Sequence, residues 1–529
     1  MSTPRPTVSS LHGVVAAAHP LAAQAGARVL SNGGNAFDAA AATAAALNVV
    51  EPYMSGLAGQ GLATCYVAAE KRVRVLDFVP RVPSRFPVER FDSREQLARG
   101  PAPVGTPGNL AGWCELVGAY GTRRLPELFA SAIKLARDGF PLIEFNVAEI
   151  NGVADLLGGD PATGAAWAAN YTGGARSVAA GSILRQPDLA NTLEVIAEQG
   201  PSLLYGGELG KRIVAHLASI GGFLTEDDLL AVKPEWKEPL TARYRDLVVN
   251  VPPPPCEGFQ YLLTLRILDG FDLGRMARDG VEHVDTVLRA IRLAAGVRIA
   301  NNDPSPDKLA RLMADDHVEK LRARVRDGKP VLGPTEQWQP GAPEGHTTSF
   351  SIGDREGNLV CVTQSLGAVF GSGVVVPGTG VCLNNFLYWA DVNPASPNRS
   401  KPGEALPMCM APGIATREGA ACLALGTPGS YGILQTQPQA LVQYVDFGLK
   451  LQAAIEAPRT RLMDGREAHV EARVATDVRA ALAARGHEVM PTPDWTMKVG
   501  GMQAVARDPV TGALTGACDP RRDGYVATA

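Results

Sequence analysis

Residues 346–365 read HTTSFSIGDREGNLVCVTQS, and this stretch decides the fold. Two runs of alternating apolar residues flank the polar segment DREGN. A turn-forming segment between two such runs predicts an antiparallel β-hairpin. If Ile352 pairs with Leu359 across the turn, Thr347 lies opposite residue 364, within one residue either way.

Thr347 stands at the start of the first predicted strand. A threonine hydroxyl is a poor nucleophile unless a base lies beside it, and one solution is to cut the chain just before the threonine, so that its own α-amine becomes that base. Such an amine has a pKa of about 7.7 to 8 in model compounds, which suits proton transfer near neutral pH. On the second strand, Thr363 and Ser365 share a face, so either hydroxyl could reach Thr347. Threonine is also common in strands, and spacing alone leaves an ordinary structural role open.

The remainder of the chain mixes helical and strand patterns. Residues 20–50 are alanine-dense and predict two helices separated by a turn, and residues 62–67 predict a strand. Residues 125–300 are largely helical in pattern, so we expect helical covering around a sheet. Residues 325–344 are rich in proline and glycine, which indicates a loop or linker ahead of the hairpin. Later strands and one amphipathic helix are predicted at residues 380–383, 421–425 and 477–485. The class is therefore α/β or α+β.

Composition narrows the possible partners. The 529 residues carry 50 basic and 54 acidic side chains, a formal net charge of -4, and 46% are hydrophobic. A chain of this length and composition can bury a large core. Without a long Lys/Arg run, it has no electrostatic footprint for nucleic acid or an anionic membrane. We expect a small-molecule partner, with no nucleic acid and no membrane.

Targeting and metal-binding patterns are missing from the sequence. The N-terminus lacks a charged segment followed by an apolar run, and no stretch offers about 18 uninterrupted apolar residues, so we expect a cytoplasmic location. The eight cysteines are scattered singly, and we expect most of them to be small core residues. The eight histidines are dispersed, and the chain has no G-x-S-x-G, H-E-x-x-H or Walker pattern. We expect neither a metal nor a cofactor.

The run TTSFSIGDREGNLVCVTQSLGAVFGSG at residues 347–373, followed by TGVCLNNF, resembles the start of the small subunit in the gamma-glutamyltransferase family of N-terminal-nucleophile hydrolases. Further blocks in that family's order extend the resemblance over nearly the whole chain. They are GGNAFDAAAATAAALNVVEP (33–52), VGTPGNLAGW (104–113), GGFLTEDDL (221–229), PPPPCEGF (252–259), GTPGS (426–430), DFGL with EAPR (446–459) and ACDPRRDG (517–524).

The resemblance implies an α+β fold, a four-layer αββα sandwich with extra helical covering. It also implies self-cleavage between His346 and Thr347. The products would be a large subunit, residues 1–346, and a small subunit, residues 347–529, which together form one αββα domain and a catalytic heterodimer.

Carried over residue by residue, Thr347 is the nucleophile and, through its α-amine, the base. Ser365 stands where the family commonly has a threonine touching the nucleophile, with Thr363 as the alternative from spacing. Gly429 and Ser430 fall where two consecutive backbone amides form the oxyanion hole, usually Gly-Gly. Because backbone N–H groups do that work, the Ser430 side chain need not abolish it.

The resemblance also implies a substrate-binding set, which comprises Arg85, Asn384, Phe386, Trp389, Met408 and Cys409. Arg85 best matches the arginine that grips the α-carboxylate of a glutamyl substrate, and Arg81 is the competing choice.

This sequence departs from the family at several of these positions. Gly367 replaces an asparagine. Residues 386–389, Phe-Leu-Tyr-Trp, replace a polar and acidic stretch that holds the substrate's α-amino group, and Met408-Cys409 replace a Ser-Ser pair at the α-carboxylate. Each lost contact to a charged group removes about 1.5 to 3 kcal/mol of binding. The sequence therefore supports the family better than it supports glutathione.

The leading hypothesis is a self-processing amide hydrolase or acyltransferase that uses Thr347 on a small amide, such as a γ-glutamyl compound or glutathione. One alternative is a non-glutamyl amide of the cephalosporin-acylase or oxamate-amidohydrolase kind, toward which Phe386 and Trp389 lean. A second alternative is an unprocessed, non-catalytic binding protein.

Overall fold

The structure is a computed structural model and describes residues 5–329, 346–396, 398–463 and 465–529. Its strands, in chain order, are β1 Val8–Ser10, β2 Gly13–Ala17, β3 Gln60–Val67, β4 Arg72–Asp77, β5 Phe140–Pro141, β6 Ile183–Leu184, β7 Glu235–Lys237, β8 Leu240–Tyr244, β9 Leu247–Val251, β10 His346–Asp354, β11 Leu359–Gly367, β12 Val375–Val376, β13 Val381–Cys382, β14 Gly413–Arg417, β15 Ala420–Gly426, β16 Thr460–Leu462, β17 Glu467–Glu471, β18 Glu488–Thr492, β19 Gln503–Arg507, β20 Leu514–Cys518 and β21 Tyr525–Thr528.

The α-helices surround these strands. They are α1 Pro20–Ser31, α2 Ala36–Val50, α3 Asn109–Tyr120, α4 Leu125–Asp138, α5 Glu144–Gly158, α6 Gly164–Tyr171, α7 Pro187–Gln199, α8 Glu208–Ser219, α9 Glu226–Leu230, α10 Phe259–Leu268, α11 Val281–Ile299, α12 Pro306–Leu312, α13 Asp315–Arg326, α14 Ile433–Val445, α15 Leu451–Glu456 and α16 Thr476–Ala484. Within the described ranges, no helix is long and apolar enough to span a membrane.

Two seven-stranded sheets carry the fold. The first has the order β21-β2-β10-β11-β3-β4-β7, and the second has the order β1-β20-β19-β15-β14-β9-β8. The hairpin predicted from residues 346–365 is β10 with β11, at the middle of the first sheet. Its turn is one residue longer than predicted, because Ile352 pairs with Val360 rather than with Leu359.

The side chains of this hairpin alternate between two apolar clusters, as period two requires. Ile352 and Val362 pack in the cluster that contains α1 and α2. Leu359 and Cys361 pack in a cluster between the two sheets. A third cluster joins the second sheet to α10, α11 and α14. The layers are therefore helix, sheet, sheet, helix, and the expected αββα sandwich of class α+β is confirmed.

The C-terminal end of helix α2 lies next to the first residues of β10. Asn35 caps the helix by accepting hydrogen bonds from the amides of Phe37 and Asp38, and the Asp38 carboxylate accepts from the Asn35 amide in return. Every residue of α2 is buried, since its alanines allow α1 and the first sheet to approach closely. Its C-terminal cap, Glu51, lies buried beside the strand that carries Thr347.

The segment 125–300 contains strands as well as the predicted helices. The block 125–300 is not only helical covering, because β7, β8 and β9 join the edges of the two main sheets. These strands span five residues at most, so their pattern is weak beside that of the helices. Of the predicted linker, residues 330–345 lie outside the described residues.

The prediction for the cysteines is confirmed, since seven of the eight are buried.

Candidate active site

Thr347 lies at a bulge between β10 and β11. Thr348 pairs with Gln364, whereas His346 pairs with Gly367. Two residues of β11 therefore lie opposite Thr347 alone, and such bulges reorient the neighbouring side chains. Thr347 is 6% exposed, so its hydroxyl works in a largely water-excluded environment.

Ser365 contacts the peptide bond that precedes Thr347. The Thr347 hydroxyl donates to Ser365 Oγ at 3.3 Å, and the Ser365 hydroxyl donates to the carbonyl oxygen of His346 at 2.6 Å. The Gly367 amide donates to Ser365 Oγ at 2.8 Å and fixes the hydroxyl in place. One side chain thus orients the Thr347 oxygen and polarises the carbonyl of residue 346.

The alternative partner, Thr363, lies further along the hairpin. It pairs with Ser349, and its buried hydroxyl has no hydrogen-bond partner among the described residues. Of the two hydroxyls that the spacing left open, the structure brings Ser365 to Thr347.

Two charged residues that the sequence analysis did not single out contact the Thr347 carbonyl and the Thr348 side chain. Arg522 Nη1 donates to the Thr347 carbonyl oxygen at 2.8 Å, and Arg522 Nη2 pairs with Glu51 Oε1 at 2.8 Å. The Thr348 hydroxyl donates to the second Glu51 oxygen at 2.8 Å. Both residues fall inside quoted family blocks, but nothing in their spacing indicated that they meet.

The turn that follows β15 contains Gly429 and Ser430, the two residues predicted for the oxyanion hole. Gly426 touches Ser349 of β10 so closely that a Cβ on this glycine would lie 2.2 Å from Ser349 Oγ. Beyond it, Gly429 has φ +125° and Ser430 has φ +54°. A serine in the left-handed region is an uncommon, strained conformation. Within the described chain, the amides of Gly429 and Ser430 donate to no other residue.

Asn384 is a structural residue rather than a substrate contact, which corrects the carry-over from the family. Its side-chain NH₂ donates to the carbonyls of Ala58 and Gly105, and its oxygen accepts from the amides of Gly105 and Phe386. Both donor hydrogens are therefore engaged by backbone, so the side chain fixes the 3₁₀ turn at 386–389 and offers no donor to a ligand.

The next residue, Asn385, explains the glycine at position 367. Its Oδ1 accepts from the Ala368 amide, and a Cβ on Gly367 would lie 2.1 Å from that oxygen. Gly367 also has φ +106°, a conformation that favours glycine. An asparagine at 367, as in the family, is therefore incompatible with this arrangement.

Trp389 forms an apolar wall next to the hairpin. Its ring would lie 3.3 Å from a Cβ at Gly367, the residue paired with His346. The Phe386 ring lies beside it in a tilted arrangement, with ring centroids 5.8 Å apart. Met408 and Cys409 are buried in the same large apolar cluster. The role of these four side chains in substrate binding stays a prediction.

The assignment of Arg85 as a carboxylate ligand stays a prediction. Arg85 is exposed and lines a surface pocket with residues of α8 and α9. The competing Arg81 is exposed too and donates to the Gly403 carbonyl. The arginine that lies at the aromatic turn is Arg94, which donates to the carbonyls of Trp389 and Ala390. Burial lowers the pKa of Arg94, although a guanidinium remains charged in proteins.

Other chemistry near the cleavage point is limited. His346 Nε2 lies 3.7 Å from a carboxylate oxygen of Glu149, and both side chains are mostly buried. Among the described residues, no group of three or more His, Cys, Asp or Glu is arranged to hold a metal ion. The arrangement suits nucleophilic attack by a threonine hydroxyl on a carbonyl carbon.

Comparison with known proteins agrees with this geometry. The family model described as gamma-glutamyltranspeptidase matches residues 22–529. The acylase ACY 1 proenzyme of Pseudomonas sp. (strain SE83) is 35% identical over 98% of this chain and 93% of its own. The glutathione hydrolase proenzyme of Bacillus subtilis (strain 168) is 30% identical over 97% of this chain and 90% of its own. The crystal structure of cephalosporin acylase from Bacillus halodurans superposes with a TM-score of 0.91 at 31% identity, covering all of this chain and 98% of that one.

Proposed function

The chain belongs to the gamma-glutamyltranspeptidase family and is an enzyme of the N-terminal-nucleophile type, and we propose that it cleaves itself before Thr347 and then hydrolyses a small amide whose acyl group lacks the α-amino group of glutamate. The observation that carries the substrate proposal is the Trp389 ring beside Gly367, where the family places polar and acidic residues.

The first step is self-cleavage. Thr347 Oγ1 attacks the carbonyl carbon of His346, the peptide C–N bond breaks, and an ester joins residue 346 to the threonine oxygen while the α-amine is freed. Water then hydrolyses the ester. The hydrogen bond from Ser365 to the His346 carbonyl oxygen supports this route, because it withdraws electrons from the carbon under attack. The products are residues 1–346 and 347–529.

Substrate turnover repeats the same chemistry between molecules. Thr347 Oγ1 attacks the amide carbonyl, and its proton passes to the α-amine. The amides of Gly429 and Ser430 stabilise the oxyanion. The protonated α-amine gives its proton to the leaving nitrogen as the C–N bond breaks, which leaves an acyl ester on Thr347. Water, or an acceptor amine in a transfer reaction, then releases the acyl group.

The apolar wall favours a des-amino acyl group. An ammonium ion facing Trp389 and Phe386 would lose its hydration without gaining a carboxylate partner. A cation–π contact with the indole recovers about 2 kcal/mol when the pair is desolvated, less than the cost of burying an ammonium ion without a carboxylate partner. The acylase and cephalosporin-acylase relatives support the same class of substrate.

A γ-glutamyl compound, glutathione included, is the second candidate. A glutathione hydrolase is 30% identical over 97% of this chain, and this similarity supports the second candidate.

Hydrolysis of a matched amide panel tests the proposal. Glutaryl, oxamic and γ-glutamyl anilides, with glutathione, are compared by kcat/KM on processed enzyme, with the Thr347→Ala chain as the blank. We expect the best des-amino amide to be cleaved at least as efficiently as the γ-glutamyl anilide. A strong preference for the γ-glutamyl compounds would contradict the proposed des-amino substrate class. It would not affect the assignment of Thr347 as the nucleophile.

A further inference from the structure

A buried ion pair lies directly against the backbone of the nucleophile. The side chains of Arg522 and Glu51 are 0% and 1% exposed and meet at 2.8 Å. Arg522 also donates to the Thr347 carbonyl oxygen, and Glu51 accepts from the Thr348 hydroxyl. Arg522 and Glu51 thus contact Thr347 and Thr348, the two residues that directly follow the cleavage point.

The position of Glu51 is unfavourable without these partners. It is the C-terminal cap of α2, where the helix dipole repels an anion, and it is removed from water. Arg522 compensates the charge and at the same time stacks over the Phe145 ring, with its guanidinium carbon 5.4 Å from the ring centroid. A carboxylate kept at such a site needs a role beyond stability, because an apolar pair of similar volume stabilises a core as well or better.

We propose that Glu51 and Arg522 are positioning residues that clamp the Thr348 hydroxyl and the Thr347 carbonyl oxygen and so aim the Thr347 hydroxyl and α-amine at the substrate carbonyl. The inference rests on the proposed self-cleavage. Before cleavage, the peptide bond to His346 restrains Thr347. After cleavage that restraint is gone, and the hydrogen bonds from Arg522 and to Glu51 hold the new N-terminus.

The clamp also joins the two fragments. Glu51 belongs to residues 1–346, whereas Thr347, Thr348 and Arg522 belong to residues 347–529. The Glu51 half of the clamp therefore depends on the large fragment being bound, and the separated small fragment keeps only the hydrogen bond from Arg522. Misplacement of a nucleophile by about 1 Å costs on the order of a hundredfold in rate, while substrate binding elsewhere in the pocket is unaffected.

The test uses Glu51→Gln and Arg522→Lys, each measured as a processed enzyme on the best amide of the panel. We expect kcat to fall by at least about tenfold, with KM changed by no more than about twofold. Thr348→Val removes only the hydroxyl contact and serves as a milder variant if the charge changes prevent folding; for it we expect the same pattern at a smaller magnitude.

The chain offers a closely matched control in Asp446. It is also a buried carboxylate at the C-terminal cap of a helix, α14, and it also pairs with an arginine, Arg245, and accepts from a hydroxyl, that of Tyr244. Asp446→Asn should lower the thermal midpoint as Glu51→Gln does but leave kcat unchanged.

The outcomes separate the clamp from the proposed function. If Glu51→Gln, Arg522→Lys and Thr348→Val all keep the wild-type kcat, the clamp is wrong, and so it is if Asp446→Asn lowers kcat as much as they do. A wild-type protein that neither cleaves itself nor hydrolyses any amide would instead contradict the proposed function, on which the clamp rests.

Discussion

Ser365 Oγ lies 3.3 Å from Thr347 Oγ1, and the same hydroxyl donates to the carbonyl oxygen of His346 at 2.6 Å. The nucleophile and the carbonyl it would attack during maturation thus share one hydrogen-bonding side chain. This relationship ties self-cleavage and substrate turnover to the same residue.

Replacing Ser365 by Ala should slow both reactions. Loss of one oxyanion-type donor costs about a hundredfold to a thousandfold, and we expect self-cleavage to fall within or just below that range. Ser365→Thr keeps the hydroxyl and should keep both rates. The rates are read from the appearance of the two fragments on a denaturing gel and from anilide hydrolysis.

The control for this change is Thr363→Val. It is nearly isosteric and removes a hydroxyl that has no partner among the described residues, so maturation should proceed at the wild-type rate. Equal rates for Ser365→Ala and the wild type would show that the Ser365 hydroxyl has no part in either step.

Replacing Trp389 by Asp should shift the substrate preference. A carboxylate at this position would pair with a substrate ammonium, and hydrogen bonds to charged groups contribute about 1.5 to 3 kcal/mol. The ratio of kcat/KM for the γ-glutamyl anilide to that for the glutaryl anilide should rise roughly tenfold to a hundredfold. Trp389→Asn opens the same space without the charge and should raise the ratio much less. An unchanged ratio in Trp389→Asp would mean that the ring does not face the acyl group.

His19 should make the fold acid-sensitive. It caps α1 by accepting from the Leu21 amide through Nδ1, and burial lowers its pKa from 6.5 to about 4. Between these values the unfolded chain binds a proton that the folded chain excludes, so stability present above pH 6.5 is lost as the pH falls toward 4. The loss is about 3 kcal/mol of unfolding free energy.

The measurement compares urea unfolding at pH 7 and pH 4.5 in the Thr347→Ala chain, whose single polypeptide simplifies the equilibrium. His19→Asn retains a capping acceptor and should remove most of this histidine's contribution to the difference between the two pH values. An equal pH dependence in both chains would show that folding does not lower the pKa of His19.

Local patterns in the sequence predicted the centre of the site well. Period-two alternation and the polar turn specified the β10–β11 hairpin, and the hairpin alone brings Thr347 and Ser365 within a residue of each other. The choice of Ser365 over Thr363 was not predictable, because it follows from a turn one residue longer than expected, which pairs Ser349 with Thr363 and Thr348 with Gln364.

Contacts between distant segments of the chain could not be predicted from the sequence. Arg85 matched a motif by its local context, yet its side chain lies at a surface pocket. Glu51 and Arg522 are 471 positions apart, and only the closed sandwich reveals their ion pair. Asn384 carried the right residue type for binding, but its donors were already committed to the backbone of other loops.

The position of the cut in the chain is the most direct test of Thr347 as the nucleophile. The purified protein should run as two fragments, and N-terminal sequencing of the smaller should read Thr347-Thr348-Ser349. The Thr347→Ala chain should remain a single, inactive polypeptide. A small fragment that begins at any other residue, or an uncut wild type that still hydrolyses amides, would contradict the assignment of Thr347 as the nucleophile.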